Sequence, residues 1–246
     1  MKNKFKLFIS LLGITLLLTG CGKADLYSAY KKMSVGSGKN QISGYQVNIR
    51  LYGLYNNEKV SDIFLVQNYL NKGFKIVDSN NNKTYYRVNG VNYEYIAPEK
   101  DNDELGLGYD FGATIGEDGE IVEETGTYEK TDKKVPFTDT DLFLKTLLKA
   151  KSVEKPVTEE ISGEAYQKYS FKVSKAVMKR VIADTSVNDI NFTKDTNASC
   201  WVDKDGYVYK IVFDLKSGSK IEDDLTLAVF FAAVNNVSEI NEDSLK

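Results

Sequence analysis

The chain has 246 residues and no histidine, and that absence limits its chemistry more than any residue present. It removes serine–histidine–aspartate and cysteine–histidine nucleophile systems, histidine-ligated zinc, and the commonest general base at neutral pH. Two thiols remain, Cys21 and Cys200. Cys200 stands in the apolar run Ala198-Ser199-Cys200-Trp201-Val202, where a cysteine reads as a small buried hydrophobe rather than a reactive group. The 35 acidic residues show no spacing that singles out an acid–base pair of the glycosidase kind. Asp203-Lys204-Asp205-Gly206 has the opening residues of a calcium loop, but Asp214 stands where the twelfth-position glutamate is needed and the residues between read as strand. A hairpin turn accounts for it better. The expectation is therefore a non-enzyme, with no catalytic residue, no metal site and no cofactor.

The chemistry the sequence does carry lies at Cys21. Lys2, Lys4 and Lys6 form a positive head, and Leu7 to Leu18 is a twelve-residue apolar run diluted only by Ser10, Gly13 and Thr15. A membrane span needs about 20 apolar residues, so this is the profile of a secretory signal. The signal ends on Leu18-Thr19-Gly20-Cys21, which resembles the lipobox of bacterial lipoproteins. That resemblance implies removal of residues 1–20 as a signal peptide and attachment of a diacylglyceryl group to the Cys21 thiol. Two acyl chains, palmitate among the usual ones, give stable anchoring where one is marginal. The implied location is the cell membrane, lipid-anchored on its extracytoplasmic face. Without the signal lysines, 29 basic residues stand against 35 acidic ones. This acidic balance argues against nucleic acid and against a polybasic grip on lipid, so the anchor has to supply the membrane affinity. Acylation of Cys21 leaves Cys200 without a disulfide partner.

The elements that position these groups follow from periodicity. Residues 21–40 read as a tether with a possible first helix over Asp25–Met33, its apolar side Leu26, Tyr27, Tyr30 and Met33. From Ile42 the period is two: Tyr45, Val47, Ile49 and Leu51 alternate with polar neighbours. Asn56-Asn57, Asn80-Asn81-Asn82 and Asn89-Gly90 then punctuate strands over 60–70, 74–77, 84–88 and 91–96, an antiparallel meander. Residues 98–136 read as a long acidic loop carrying at most one hairpin near Glu117–Glu120; from Glu99 to Lys134 there are twelve acidic residues against four lysines. A helix opens at 137–139, capped by Thr138 or Asp139, and runs to about Lys151 with Leu144 and Leu147 on its apolar side. An extended edge segment interrupted by Pro156, a strand over 165–173, a helix capped by Ser174 with Val177 and Val181 buried, a hairpin over 196–215 and a strand over 224–234 complete the chain.

This order, built around Phe137–Ala150, Ser162-Gly163-Glu164-Ala165-Tyr166 and Trp201-Val202-Asp203-Lys204-Asp205-Gly206, resembles the LolA/LolB–LppX/LprG superfamily of lipoprotein-associated domains. The resemblance covers roughly residues 25–240. It implies an α+β fold: a strongly curved, open antiparallel β-sheet, a half-barrel, wrapped around two or three helices. It also implies a single domain over 41–246 that carries the acidic loop, and a non-catalytic activity, the holding of a lipid or other apolar ligand between sheet and helices. A curved sheet under few helices leaves an apolar concavity, for which the candidate lining is Val47, Ile49, Leu51, Phe64, Val66, Leu144, Leu147, Val177, Val181 and Trp201. Close packing of the same side chains as a plain core is the competing reading. The alternative function is a surface interaction or sensor lipoprotein with a closed core and no small-molecule ligand, meeting a protein partner at the cell envelope through exposed tyrosines such as Tyr52, Tyr55, Tyr93 and Tyr95.

Overall fold

A computed structural model describes residues 22–36, 41–97, 113–115, 121–123 and 126–245. The signal, the lipobox residues Leu18, Thr19, Gly20 and Cys21, and most of the acidic stretch lie outside the described residues. The strands are β1 (Gly44–Tyr55), β2 (Glu58–Tyr69), β3 (Gly73–Asp78), β4 (Lys83–Val88), β5 (Val91–Ile96), β6 (Ala113–Ile115), β7 (Ile121–Glu123), β8 (Thr127–Lys130), β9 (Val157–Ile161), β10 (Glu164–Val173), β11 (Thr196–Val202), β12 (Val208–Asp214) and β13 (Leu225–Ala232). The helices are α1 (22–32), α2 (Asp141–Leu148), α3 (Lys175–Val181) and the single turn α4 (Leu215–Gly218). Eleven strands hydrogen-bond in the order β8-β5-β4-β3-β2-β1-β13-β12-β11-β10-β9, an open antiparallel sheet with β8 and β9 as its edges; β6 and β7 form a separate ribbon. The α+β class and the open sheet are as the sequence predicts.

The turns have a local cause. Asn56 and Asn57 adopt φ of 53° and 64°, and Asn89 and Gly90 adopt 50° and 87°. Asparagine and glycine are the residues that enter this left-handed region most readily, and two in succession match the twist of a tight hairpin.

The chain divides into two compact units. The first comprises the described residues up to Ser34, Leu51–Val60 and Asp141–Phe230. Its sheet turns Tyr169, Phe171, Val173, Ala198, Cys200, Ile211, Phe213, Leu227 and Val229 inward, all buried. Helix α1 lies on this side: Asp25 accepts a hydrogen bond from the Tyr169 hydroxyl at 3.3 Å, and Leu26, Ala29 and Met33 are buried. Tyr27, expected on the apolar side of α1, is 52% exposed, and Ala29 takes its place. Helices α2 and α3 pack together and bury Phe143, Leu144, Leu147, Val177, Met178 and Val181.

The second unit comprises Val35–Arg50, Ser61–Thr140 and Phe231–Lys246. Tyr45 meets Phe231 edge-on at 5.6 Å, and Phe64 meets Phe137 edge-on at 4.7 Å. The Tyr45 hydroxyl shares a hydrogen bond of 3.1 Å with Thr140 Oγ1, which also accepts from the buried Asn68 amide at 3.3 Å. The C-terminal segment covers the other face of β3 and β4, where Ile240 packs with Tyr86 and Val88.

Four expectations are corrected. Residues 127–130 are not loop but strand β8, paired with β5. Helix α2 begins at Asp141, because Phe137 turns the chain with φ of 54° and Thr138 instead accepts from Arg87 Nη1 at 3.4 Å. It ends at Leu148, short of Lys151. Ser174 does stand at the N-cap of α3, but its side chain makes no capping hydrogen bond; its carbonyl accepts from Val177 and Met178 instead.

Candidate ligand-binding site

The ten candidate lining residues are all closed off from solvent, from 0% exposed at Val47, Val66 and Leu144 to 9% at Val177. Val47, Ile49, Phe64 and Val66 belong to the second unit, where adjacent strands β1 and β2 point them to one apolar face. Leu51, Leu144, Leu147, Val177, Val181 and Trp201 belong to the first unit. There Leu144 and Leu147 stand three residues apart on α2, and Val177 and Val181 four apart on α3, the spacings that place side chains on one helical face.

Trp201 is a correction. Side chains alternate across a strand, and Ala198 and Cys200 point inward, so Trp201 points to the opposite face. It sits directly between Lys168 of β10 and Lys210 of β12 in the strand register. The two ammonium groups lie 4.9 and 4.1 Å from its ring centroid. The available signal was the alternation itself: Asn197 and Ser199 share the side of Trp201, and Lys168 and Lys210 stand opposite it on β10 and β12.

Two hollows open on the first unit, and neither is lined by any of the ten candidates. One, of about 400 Å³, lies between Tyr55, Asn56 and Asn57 and the segments 190–191 and 219–223. There the Tyr55 hydroxyl donates to Asp189 at 3.1 Å and the Asn57 amide to Asp223 at 3.2 Å. The other, of about 410 Å³, lies over Ser170 and Ser199, bounded by Ser152, Glu154, Lys172 and Asn197.

Cys200, Asp203 and Glu94 are held in structural roles. Cys200 is fully buried, and burial pushes its thiol far above its ordinary range, which keeps it protonated. Asp203 Oδ1 accepts from the amides of Asp205 at 2.9 Å and Tyr207 at 2.8 Å, so the Asp-Lys-Asp-Gly segment is a hairpin turn capped by its own first residue. Glu94 is buried and binds both Lys133, at 2.7 Å, and Lys83; Lys133 first and Lys83 second hold its carboxyl below the usual range. Among the described residues no group of three metal-ligating side chains converges, and no helix is long and apolar enough to cross a membrane.

No protein-family model and no curated protein matches the chain. Solved structures do. The chain is similar to the lipoprotein LppX of Mycobacterium tuberculosis, with 13% identity over 90% of this chain and 99% of that one, at a TM-score of 0.45. It is similar to LprF of Mycobacterium bovis, with 11% identity over 89% and 95% and a TM-score of 0.49. A LolA superfamily protein from Nitrosomonas europaea matches with 10% identity over 92% and 97%, at a TM-score of 0.29. LppX, LprF and LolA superfamily proteins are thus the structural neighbours of this chain.

Proposed function

We propose that this protein is an extracytoplasmic lipoprotein, anchored through diacylglyceryl-Cys21, that binds a lipid or other apolar ligand between its sheet and helices and catalyses no reaction. The observation that carries the reading is the interior of the first unit. Inward side chains of β10–β13 and the buried stripes of α1, α2 and α3 are apolar almost throughout, and its one thiol is kept protonated. Helices α2 and α3 have eight and seven residues. Segments of that length are not stable alone, so packing holds them and an acyl chain that replaces that packing can displace them. Leu51, Leu144, Leu147, Val177 and Val181 line the opening in this account, and Val47, Ile49, Phe64 and Val66 form an apolar face within the second unit. Acylation is tested by labelling cells with palmitate: the wild type takes up label and fractionates with the membrane, and Cys21→Ala does neither. Label on Cys21→Ala, or none on the wild type, refutes the anchor.

A second reading, a partner-binding lipoprotein with a closed core, is favoured by Tyr52 and Leu54, which are 50% and 44% exposed near the end of β1. In that case the wild type takes up no lipid, and Tyr52→Ser with Leu54→Ser abolishes its cross-linking to an envelope protein.

A further inference from the structure

The hollow between the Asn56-Asn57 turn and the segments 190–191 and 219–223 lies wholly within the first unit. At about 400 Å³ it has the scale of a small-ligand site, roughly 300–1,000 Å³. Its walls are braced from several sides. Asn56 and Asn57 hold the turn in the left-handed region, with φ of 53° and 64°. The Leu54 amide donates to the Asp224 carbonyl at 3.1 Å, the Asn57 amide to Asp223 at 3.2 Å, and the Tyr55 hydroxyl to Asp189 at 3.1 Å. Across the hollow, the Thr193 amide donates to the Gly218 carbonyl at 2.9 Å, and Ser219 Oγ to the Leu215 carbonyl at 2.8 Å. Such bracing fixes the walls before any ligand arrives, and that preorganisation favours binding.

Four side chains on these walls engage no other protein group among the described residues: the amides of Asn57 and Asn191, the Lys220 ammonium and the Glu222 carboxylate. An amide both donates and accepts, a carboxylate only accepts, and an ammonium only donates. Beside them stand the Tyr55 ring, the half-buried Ile221 and the buried Ile190. Burial first, and the Asp189 carboxylate second, push the Tyr55 hydroxyl above its ordinary range, so it keeps its proton and its bond to Asp189.

This inventory narrows the ligand. An acyl chain meets polar walls here. A phosphate meets the carboxylates of Glu222 and Asp223, with Lys220 the single ammonium of the lining. A sugar fits: its hydroxyls donate and accept as the free amides do, and its C–H faces suit an aromatic ring or an isoleucine. An acetamido substituent uses the remaining groups. Its N–H suits the Glu222 carboxylate, its carbonyl an asparagine amide, and its methyl the Ile221 side chain.

We propose that this hollow binds an acetamido sugar, an N-acetylhexosamine unit, with Asn57 and Asn191 on its oxygens, Glu222 accepting from the acetamido N–H and the acetamido methyl against Ile221. The site is separate from the apolar interior and needs neither the anchor nor a bound lipid. The mature Cys21→Ser chain is titrated with N,N′-diacetylchitobiose and with cellobiose, the same disaccharide skeleton without acetamido groups, and followed by amide NMR shifts. Diacetylchitobiose gives saturable shifts confined to residues 55–57, 190–191 and 219–223, and cellobiose binds roughly tenfold more weakly. Asn57→Gly, which keeps the left-handed turn, combined with Asn191→Ala lowers the affinity roughly tenfold. Both side chains are exposed, so the urea midpoint stays unchanged. Glu222→Ala, also at an exposed position, removes the preference for diacetylchitobiose and leaves cellobiose binding as it was. No saturable binding of diacetylchitobiose, equal binding of the two disaccharides by the wild type, or shifts that map elsewhere overturn the proposal. A chain that takes up lipid but no sugar overturns this site alone; a chain that binds the sugar at these residues and takes up no lipid upholds it and removes the lipid-binding role.

Discussion

Glu94 receives one lysine on each carboxylate oxygen, Lys83 on Oε1 and Lys133 on Oε2, while its own side chain is 9% exposed. The lysines are 38% and 63% exposed, so water screens much of the attraction, and Glu94→Gln is expected to cost about 1 kcal/mol in urea unfolding at neutral pH. The sign of the pH effect follows from the direction of the shift. The folded carboxyl titrates below its ordinary value of 4.5, so its stabilisation is present above 4.5 and is lost as pH falls through the folded value. Wild type and Glu94→Gln therefore differ at pH 7 and converge in acid. Gly53 sets a second residue-scale expectation. Its φ is 137°, and an added Cβ would fall 2.1 Å from the Asp224 carbonyl, which accepts the Leu54 amide at 3.1 Å. Gly53→Ala must strain the backbone or push that segment away, a loss of roughly 2 kcal/mol read from the urea midpoint.

Strands β1 to β5 were legible because two independent signals agree there: apolar residues recur every second position, and asparagine-rich turns fix the register between them. Strand β8 was not legible. Thr127-Tyr128-Glu129-Lys130 is polar on both faces, and what makes it a strand is pairing with β5, which no local pattern announces. Helix α2 was visible by its stripe but misplaced at both ends, since Thr138 and Thr140 are taken by Arg87 and Tyr45 from distant strands. Of the candidate lining, nine side chains point to buried faces as alternation and helical spacing require, and Trp201 does not, because it shares its side of β11 with the polar Asn197 and Ser199 rather than with Ala198 and Cys200. At this scale Leu147→Ala on α2 is expected to cost 2–5 kcal/mol, the range for a fully buried leucine, as a lower urea midpoint at an unchanged slope. Val157→Lys, on edge strand β9 and 58% exposed, is expected to leave stability within about 0.5 kcal/mol, since an edge lysine is a common feature of exposed strands.

For the molecule as a whole, the lipobox-like ending and the acidic composition are properties of the sequence, and what the fold adds is where the apolar surface goes. Most of it closes around two interiors; among the described residues a smaller share lies outside, at Tyr27, Tyr52, Leu54 and Val157. Whether an interior holds a ligand depends on how loosely its helices pack, and alternation of apolar residues reports burial without reporting vacancy. The most direct measurement is native mass spectrometry of the mature Cys21→Ser chain purified from a bacterial host, followed by organic extraction. The account predicts a bound mass that partitions into the organic phase, is identified as a lipid, and is lost from Leu147→Asp protein whose circular dichroism is unchanged. A chain that flies as the bare polypeptide and takes up no lipid when lipids are supplied contradicts it.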